Sequence, residues 1–257
     1  MPRPKFSRDF LRDPTRMDRR LQEFEDALVK LIGDFKRAVI ALLKDPNKRA
    51  HGTTQVIIAD PESFFKELNR LWAIHVLNPG DKVIDLQIHR AYIQGSRFAG
   101  IMLGAPKDVR QTEWEKIGAL LTENTKGSFK GIGDETTKQI RSAIANGILL
   151  EAEAGDIEQE ILHICDSVGI NRAKTMVRTE TMKAVNRGIH DRYVGAGLTD
   201  EDEEWLTAID DRTCDECLAN DGKTIKEIGE RPPLHPNCRC TIIPKIRVPR
   251  GDIEEEE

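Results

Sequence analysis

The stretch CDECLANDGKTIKEIGERPPLHPNCRC, residues 214–240, gathers four of the chain's five cysteines and one of its six histidines into two short clusters. Two residues separate Cys214 from Cys217, the spacing at which one turn aims two thiolates at a single tetrahedral ion. After 17 further residues come His235, Cys238 and Cys240. If both clusters serve one ion, the segment between them must fold back on itself, which restricts the local topology more than any other feature of the chain. Zinc takes four ligands from thiolates and imidazoles, and five are on offer. Cys238 and Cys240 are two apart, so an extended backbone sends them to opposite faces. Either one ligates while the other is buried, or the chain bends to use both. Cys214, Cys217 and His235 rank ahead of either. Pro236 restrains the backbone after His235, and Pro232 with Pro233 stiffens the approach.

Disulfides would require an oxidising setting, and a thioredoxin-like redox pair would place its CxxC between a strand and a helix of an α/β domain. Structural zinc is the reading these spacings favour, with the other two left open. A catalytic zinc keeps an open fourth position, against which the surplus of soft ligands argues. Cys165 lies far away on a helical stretch and reads as a single buried thiol.

The clusters sit at the end of a chain of different character. Hydrophobic residues make up 39% of the 257, charged residues 32% and aromatics only 5%, which suits a helical, well-solvated protein better than a compact all-β one. Apolar residues at Met17, Leu21, Phe24, Leu28, Leu31, Phe35, Val39 and Leu42 mark one face of a long helix ending near Lys44–Asn47. A short β-like run in HGTTQVIIAD leads to a second helix, with Asp60 as N-cap, Pro61 in its first turn and a stop at Pro79 and Gly80. From Lys82 to about Gly104 the chain is apolar nearly all round, as in a buried helix, and Pro106 closes it. Further helices are expected at about 108–122, 134–153, 156–168 and 171–194, with joints at Gly131 and Gly133, Gly155 and Gly169, and Asp134 near an N-cap. After Gly195, EWLTAID and CRCTIIP read as strands, CDECLAND as a turn or short helix and DGKTI as a turn and strand. The fold class expected is α+β: a mostly helical N-terminal body with a small C-terminal β-containing Cys/His unit. Its divisions are expected at 1–130, 131–250 with the Cys/His unit at 200–245, and an acidic tail at 251–257.

On NRAKTMVRTETMKAVNRGIHDRY a helical projection places Ala173, Met176, Val177, Ala184 and Gly188 on one apolar stripe, with Glu180 inside it. A carboxylate on a packing face is costly unless charge-assisted bonds meet it. Arg212 is the expected partner, in a polar lock of Glu180 with Arg212 flanked by Arg178 and Asp210. A general acid or base role for Glu180 is the weaker alternative, since no Ser or His nucleophile arrangement accompanies it.

Charge is polarised along the chain. Residues 1–50 carry thirteen Lys or Arg against eight Asp or Glu, whereas GDIEEEE holds five acids. A solvated arm and tail is the plainer reading, while a basic arm that touches nucleic acid through Arg8, Arg12, Arg16, Arg19 and Arg20 is the alternative. No run of about 18 apolar residues and no secretory leader is visible, so no membrane role is expected and assembly in a reducing cytoplasm is. HExxH, paired-carboxylate and glycine-rich phosphate motifs are lacking, so no enzyme is expected.

Taken in order, RTETMKAVNRG, EWLTAIDDRTCDEC, DGK and PPLHPNCRC followed by IIP resemble the phage head morphogenesis family, the phage Mu F-like minor head proteins, over roughly Asp134–Pro244. The resemblance implies a minor capsid protein of a tailed virus or prophage. Its expected partners are the portal protein, the major capsid or scaffold protein and, in DNA packaging or delivery, DNA. The implied location is the virion, inside the head near the portal vertex, after assembly in the host cytoplasm. Motif positions carried over are Arg178, Thr179, Glu180, Trp205, Asp210, Arg212, Cys214, Cys217, His235, Cys238 and Cys240. The competing reading is a DNA-binding zinc protein that uses the basic N-terminal arm.

Overall fold

The computed structural model describes residues 15, 17–45, 61–104, 111–150 and 152–245. The β-like run at 51–60 with its Asp60 cap, Pro106, the arginines at 8, 12 and 16, and the tail at 251–257 lie outside them. The described chain is a series of helices followed by a small antiparallel sheet, the α+β class expected. The helices are α1 (Asp18–Lys44), α2 (Pro61–Trp72), α3 (Asn78–Met102), α4 (Gln111–Leu149), α5 (Ala154–Ile164) and α6 (Asn171–Gly195). The sheet region holds β1 (Glu203–Leu206), the short helices α7 (Asp215–Asn220) and α8 (Ile225–Ile228), and β2 (Thr241–Pro244). Among the described residues no helix is long and apolar enough to cross a membrane.

Helix α1 carries the expected stripe with two shifts. Leu21, Phe24, Leu28, Phe35 and Val39 are buried, but Ile32 and Leu43 take the places expected for Leu31 and Leu42. A straight helix turns through 3.6 residues, so a stripe must include more steps of four than a coiled-coil seam does.

Three expected breaks are continuous helix instead. Pro79 lacks an N–H and crowds the carbonyl four residues earlier. Here the preceding residues Ala73–Leu77 wind as a π-helical turn, with the Asn78 N–H donating to the Ala73 carbonyl, so the path passes from α2 through Pro79 into α3. Gly80 is a packing residue, because a Cβ there would lie 2.5 Å from the Phe129 ring. Gly131, Gly133 and Asp134 fall inside the 39-residue α4, where the Trp72 indole would lie 2.0 Å from a Cβ on Gly133. Gly169 belongs to a second π-helical turn, Cys165–Ile170, that carries α5 into α6.

The chain divides into two compact units. One comprises residues 20–86 and 122–177, and its core sets Phe35 edge-on to Trp72 at 4.9 Å between centroids, with Phe129 beyond. Lys36 with Asp166 and Lys44 with Glu158 tie α1 to the segment after residue 154. Cys165 is buried in this unit as expected of a single thiol, and burial pushes its pKa up to about 12.

The other unit comprises residues 1–19, 87–121 and 178–257. In it α3 and α6 touch backbone to backbone. A Cβ on Gly95 would lie 2.0 Å from the Val185 carbonyl oxygen, and one on Gly188 would lie 2.1 Å from that of Tyr92. The Tyr92 hydroxyl donates to Asp191 across the same crossing at 2.8 Å. In the sheet Trp205 faces Ile242 and Leu206 faces Thr241, and the far edge of β1 bonds to residues 222–224 through Gly222 N–H to the Trp205 carbonyl and Trp205 N–H to the Lys223 carbonyl, each 2.9 Å. Trp205, Leu206, Ile242 and Ile243 form the buried floor of the module.

Gly95→Ala is therefore expected to lose about 1–3 kcal/mol of unfolding free energy by overpacking against backbone, while Gly127→Ala, exposed in α4 with open space around it, gains about 0.5–1 kcal/mol. Urea denaturation of the two variants beside the parent checks both signs.

Candidate metal centre

Each cysteine cluster is organised by a short local turn. Cys214 has extended backbone and caps α7, its Sγ accepting from the Cys217 N–H at 3.4 Å, so the two side chains of the CxxC point the same way. In the second cluster the Cys238 N–H donates to the His235 carbonyl at 3.2 Å, a turn made possible by Asn237 at φ 63°, the left-handed region that asparagine tolerates. His235 and Cys238 thereby repeat the i, i+3 arrangement of Cys214 and Cys217.

The two turns converge. His235 Nε2 lies 3.2 Å from Cys214 Sγ and 3.1 Å from Cys217 Sγ, and Cys217 Sγ lies 3.7 Å from Cys238 Sγ. The ligand atoms form two triplets that share Cys217: Cys214, Cys217 and His235, and Cys217, Cys238 and Cys240, each within 4.8 Å. Bond lengths of about 2.3 Å to sulfur and about 2.0–2.1 Å to nitrogen give tetrahedral edges of about 3.8 Å between sulfurs and about 3.5 Å between sulfur and nitrogen. These three separations fall within about half an ångström of those edges, so Cys214, Cys217 and His235 suit one metal ion, with Cys238 at edge distance from Cys217. The imidazole is also set up for one. Nδ1 lies 2.9 Å from the Pro236 carbonyl, which can only accept, so Nδ1 carries the proton and Nε2 presents a lone pair to the thiols.

The electrostatics separate the thiols. Burial pushes the Cys217 pKa up to about 12, whereas the Cys217 N–H lowers that of Cys214. Cys238 is brought down chiefly by donation from the Cys240 side chain, helped by the N–H groups of Cys240 and Leu234, and Cys240 is correspondingly raised by Cys238 and by burial. The Pro236 carbonyl, first, and the neighbouring thiols raise His235.

Glu180 and Arg212 do not meet in the expected polar lock. Glu180 is nearly buried but pairs with Lys183 on its own helix at 2.9 Å, and Arg212 pairs with Asp210 at 3.2 Å, so the expected pairing of Glu180 with Arg212 is replaced. Asp210 is the centre of the local charge network: both its oxygens accept from the Arg239 guanidinium and one from the Arg212 N–H. Arg239 first, then Arg212, hold its carboxyl far below the ordinary range. Arg212 bonds two residues back within its own turn, and Glu180 one turn along its own helix.

Helix α6 grips the module through Thr179, one of the motif positions, and through residues that motif reading passed over. The Asn186 amide donates to the Cys240 carbonyl at 3.1 Å and accepts from the Thr241 hydroxyl at 2.9 Å, all three buried. Thr179 accepts from the Asn237 N–H at 3.2 Å. One turn beyond Asn186, His190 Nδ1 meets the fully buried Glu203 at 2.6 Å, and Arg231 bonds the other Glu203 oxygen at 2.9 Å and also Asp200. His190, Asp200 and Glu203 are spaced so that they could hold a metal, but the Arg231 guanidinium already meets both carboxylates there. The i, i+4 spacing of Asn186 and His190, and the period-2 alternation of Glu203 with Trp205, were the available signals for this network.

Fold and site together define a helical protein whose last long helix carries a small β module closed by a Cys/His cluster able to hold a metal ion. Residues 134–243 match the family described as Phage Mu protein F like protein. The match starts inside α4 and ends in β2, so it takes in α6 and both cysteine clusters. No curated protein and no solved structure gives a match.

Asn186→Ala leaves a buried carbonyl and a buried hydroxyl without this partner and is expected to cost about 1–3 kcal/mol, measured as a lower urea midpoint. Because the folded-state pKa of Asp210 is depressed, its ion pair stabilises fully above the ordinary carboxylate range and is lost as the pH falls below about 4. Asp210→Asn should therefore be less stable at neutral pH and show a shallower decline in denaturation midpoint below about pH 4 than the parent.

Proposed function

We propose that the chain is a minor capsid protein acting in head morphogenesis of a tailed virus or prophage, resident in the virion near the portal vertex. Its partners in this reading are the portal protein and the major capsid or scaffold protein, with a contribution to DNA packaging or delivery. The observation that carries the proposal is the family match over residues 134–243, which covers α6 and both cysteine clusters. The helices supply extended faces for docking, and the module supplies a rigid end piece. Its role is structural, not enzymatic.

The metal in this reading is a structural zinc, held by the Cys/His cluster through thiolates and an imidazole. A module built on a two-stranded sheet buries little apolar surface and benefits from a staple. Structural zinc contributes about 10 kcal/mol or more of apparent binding free energy to such a fold. Bound there, it would cross-link the α7 turn to the segment that leads into β2.

Affinity capture of the tagged full chain, co-expressed with the portal protein of the same virus or prophage, tests the assignment. Co-elution with cross-links from the α helices to the portal is the expected result. A chain that ignores the portal but binds duplex DNA tightly, with steep salt dependence, would overturn it in favour of the DNA-binding reading.

A further inference from the structure

We infer that the metal is held by Cys214, Cys217, His235 and Cys238, three thiolates and one imidazole, and that Cys240 is a docking residue that does not ligate. The inference rests on the zinc reading above and assigns the roles within it. Five residues compete for four places, and separation alone does not choose, since the sulfurs of Cys217, Cys238 and Cys240 are mutually within 4.8 Å.

The backbone does choose. Cys214 with Cys217 and His235 with Cys238 are paired turns of the same i, i+3 spacing, each closed by a hydrogen bond from the later residue's N–H to the earlier residue. Such a turn aims both its side chains to one side, and the two turns face each other across the contacts of His235 with Cys214 and Cys217 and of Cys217 with Cys238. Cys240 lies beyond the second turn, where the chain straightens into β2 at Thr241. Its thiol lies beside that of Cys238 and donates to it, one step outside the turn that aims Cys238 at the centre.

Cys240 is engaged elsewhere at both ends. Its carbonyl accepts from Asn186 of α6, and its Sγ lies 3.9 Å from the Thr207 hydroxyl. Thr207 is itself held, accepting from the Trp205 indole at 3.0 Å and donating to the Cys217 carbonyl at 2.8 Å. Cys240 therefore backs the Cys217 turn from the core side and couples it to α6, while Cys238 completes the tetrahedron.

Cobalt(II) substitution of the full chain tests the assignment, because thiolate-to-cobalt charge-transfer absorption scales with the number of thiolates bound, and native mass spectrometry with zinc gives the stoichiometry. One metal per chain is expected for the parent and for Cys240→Ser, with equal charge-transfer intensity. Cys238→Ser should lose about one third of that intensity, one thiolate of three, or fail to retain the metal. Loss of a third in Cys240→Ser overturns the assignment, whatever Cys238→Ser does, so a folding failure of the latter leaves the test decisive. A parent chain that takes up neither metal overturns the zinc reading itself, an outcome distinct from a misplaced ligand.

Discussion

The Asn186 amide, bound at one end to the Cys240 carbonyl and at the other to the Thr241 hydroxyl, is the contact on which the C-terminal module depends. It is buried, uses both donor and acceptor, and meets the chain at the junction between the cysteine turn and β2. A two-stranded sheet has little core of its own, so its orientation must come from outside. Helix α6 supplies it through Thr179, Asn186 and His190, residues spaced by seven and four along one face.

The same helix needs a firm seat to act as a support. That seat is the crossing with α3, where Gly95 and Gly188 let two backbones approach more closely than any side chain would allow. A chain of rigid contacts thus runs from α3 through α6 to the module, and through Cys240 and Thr207 to the cysteine turns. Charge is handled in the same economical way. Glu203 is fully buried yet meets His190 and Arg231, and Asp210 meets Arg239, so neither carboxylate is left unpaired in a medium that screens poorly.

In the head-morphogenesis role proposed above, this construction has a functional logic. A capsid component must keep its shape while it is handled by larger assemblies, and a small module survives such handling only if it is pinned at several points. The two cysteine turns, the Asn186 grip and the ion pairs of Glu203 and Asp210 hold the module at different positions.

The α+β class, the stripe of α1 and the convergence of the two cysteine clusters were legible in the residues, because periodicity and ligand spacing are local properties of a chain. Pro79, Gly80, Gly131 and Gly133 misled, because a proline or glycine reports a permitted break and not an actual one. Whether the helix continues there depends on a π-helical turn and on the rings of Phe129 and Trp72, which arrive from distant positions. The pairing of Glu180 with Arg212 failed for a like reason: complementary charge is visible in a sequence, but which cation reaches which carboxylate is not. By itself, then, the sequence determined which segments are helical, which residues carry metal-binding chemistry and which family the C-terminal part resembles. Only the tertiary structure decided that Asn186, His190 and Glu203 join α6 to the module and that Arg239 takes Asp210, because those partners are 13 to 54 residues apart and meet through packing that no local pattern encodes.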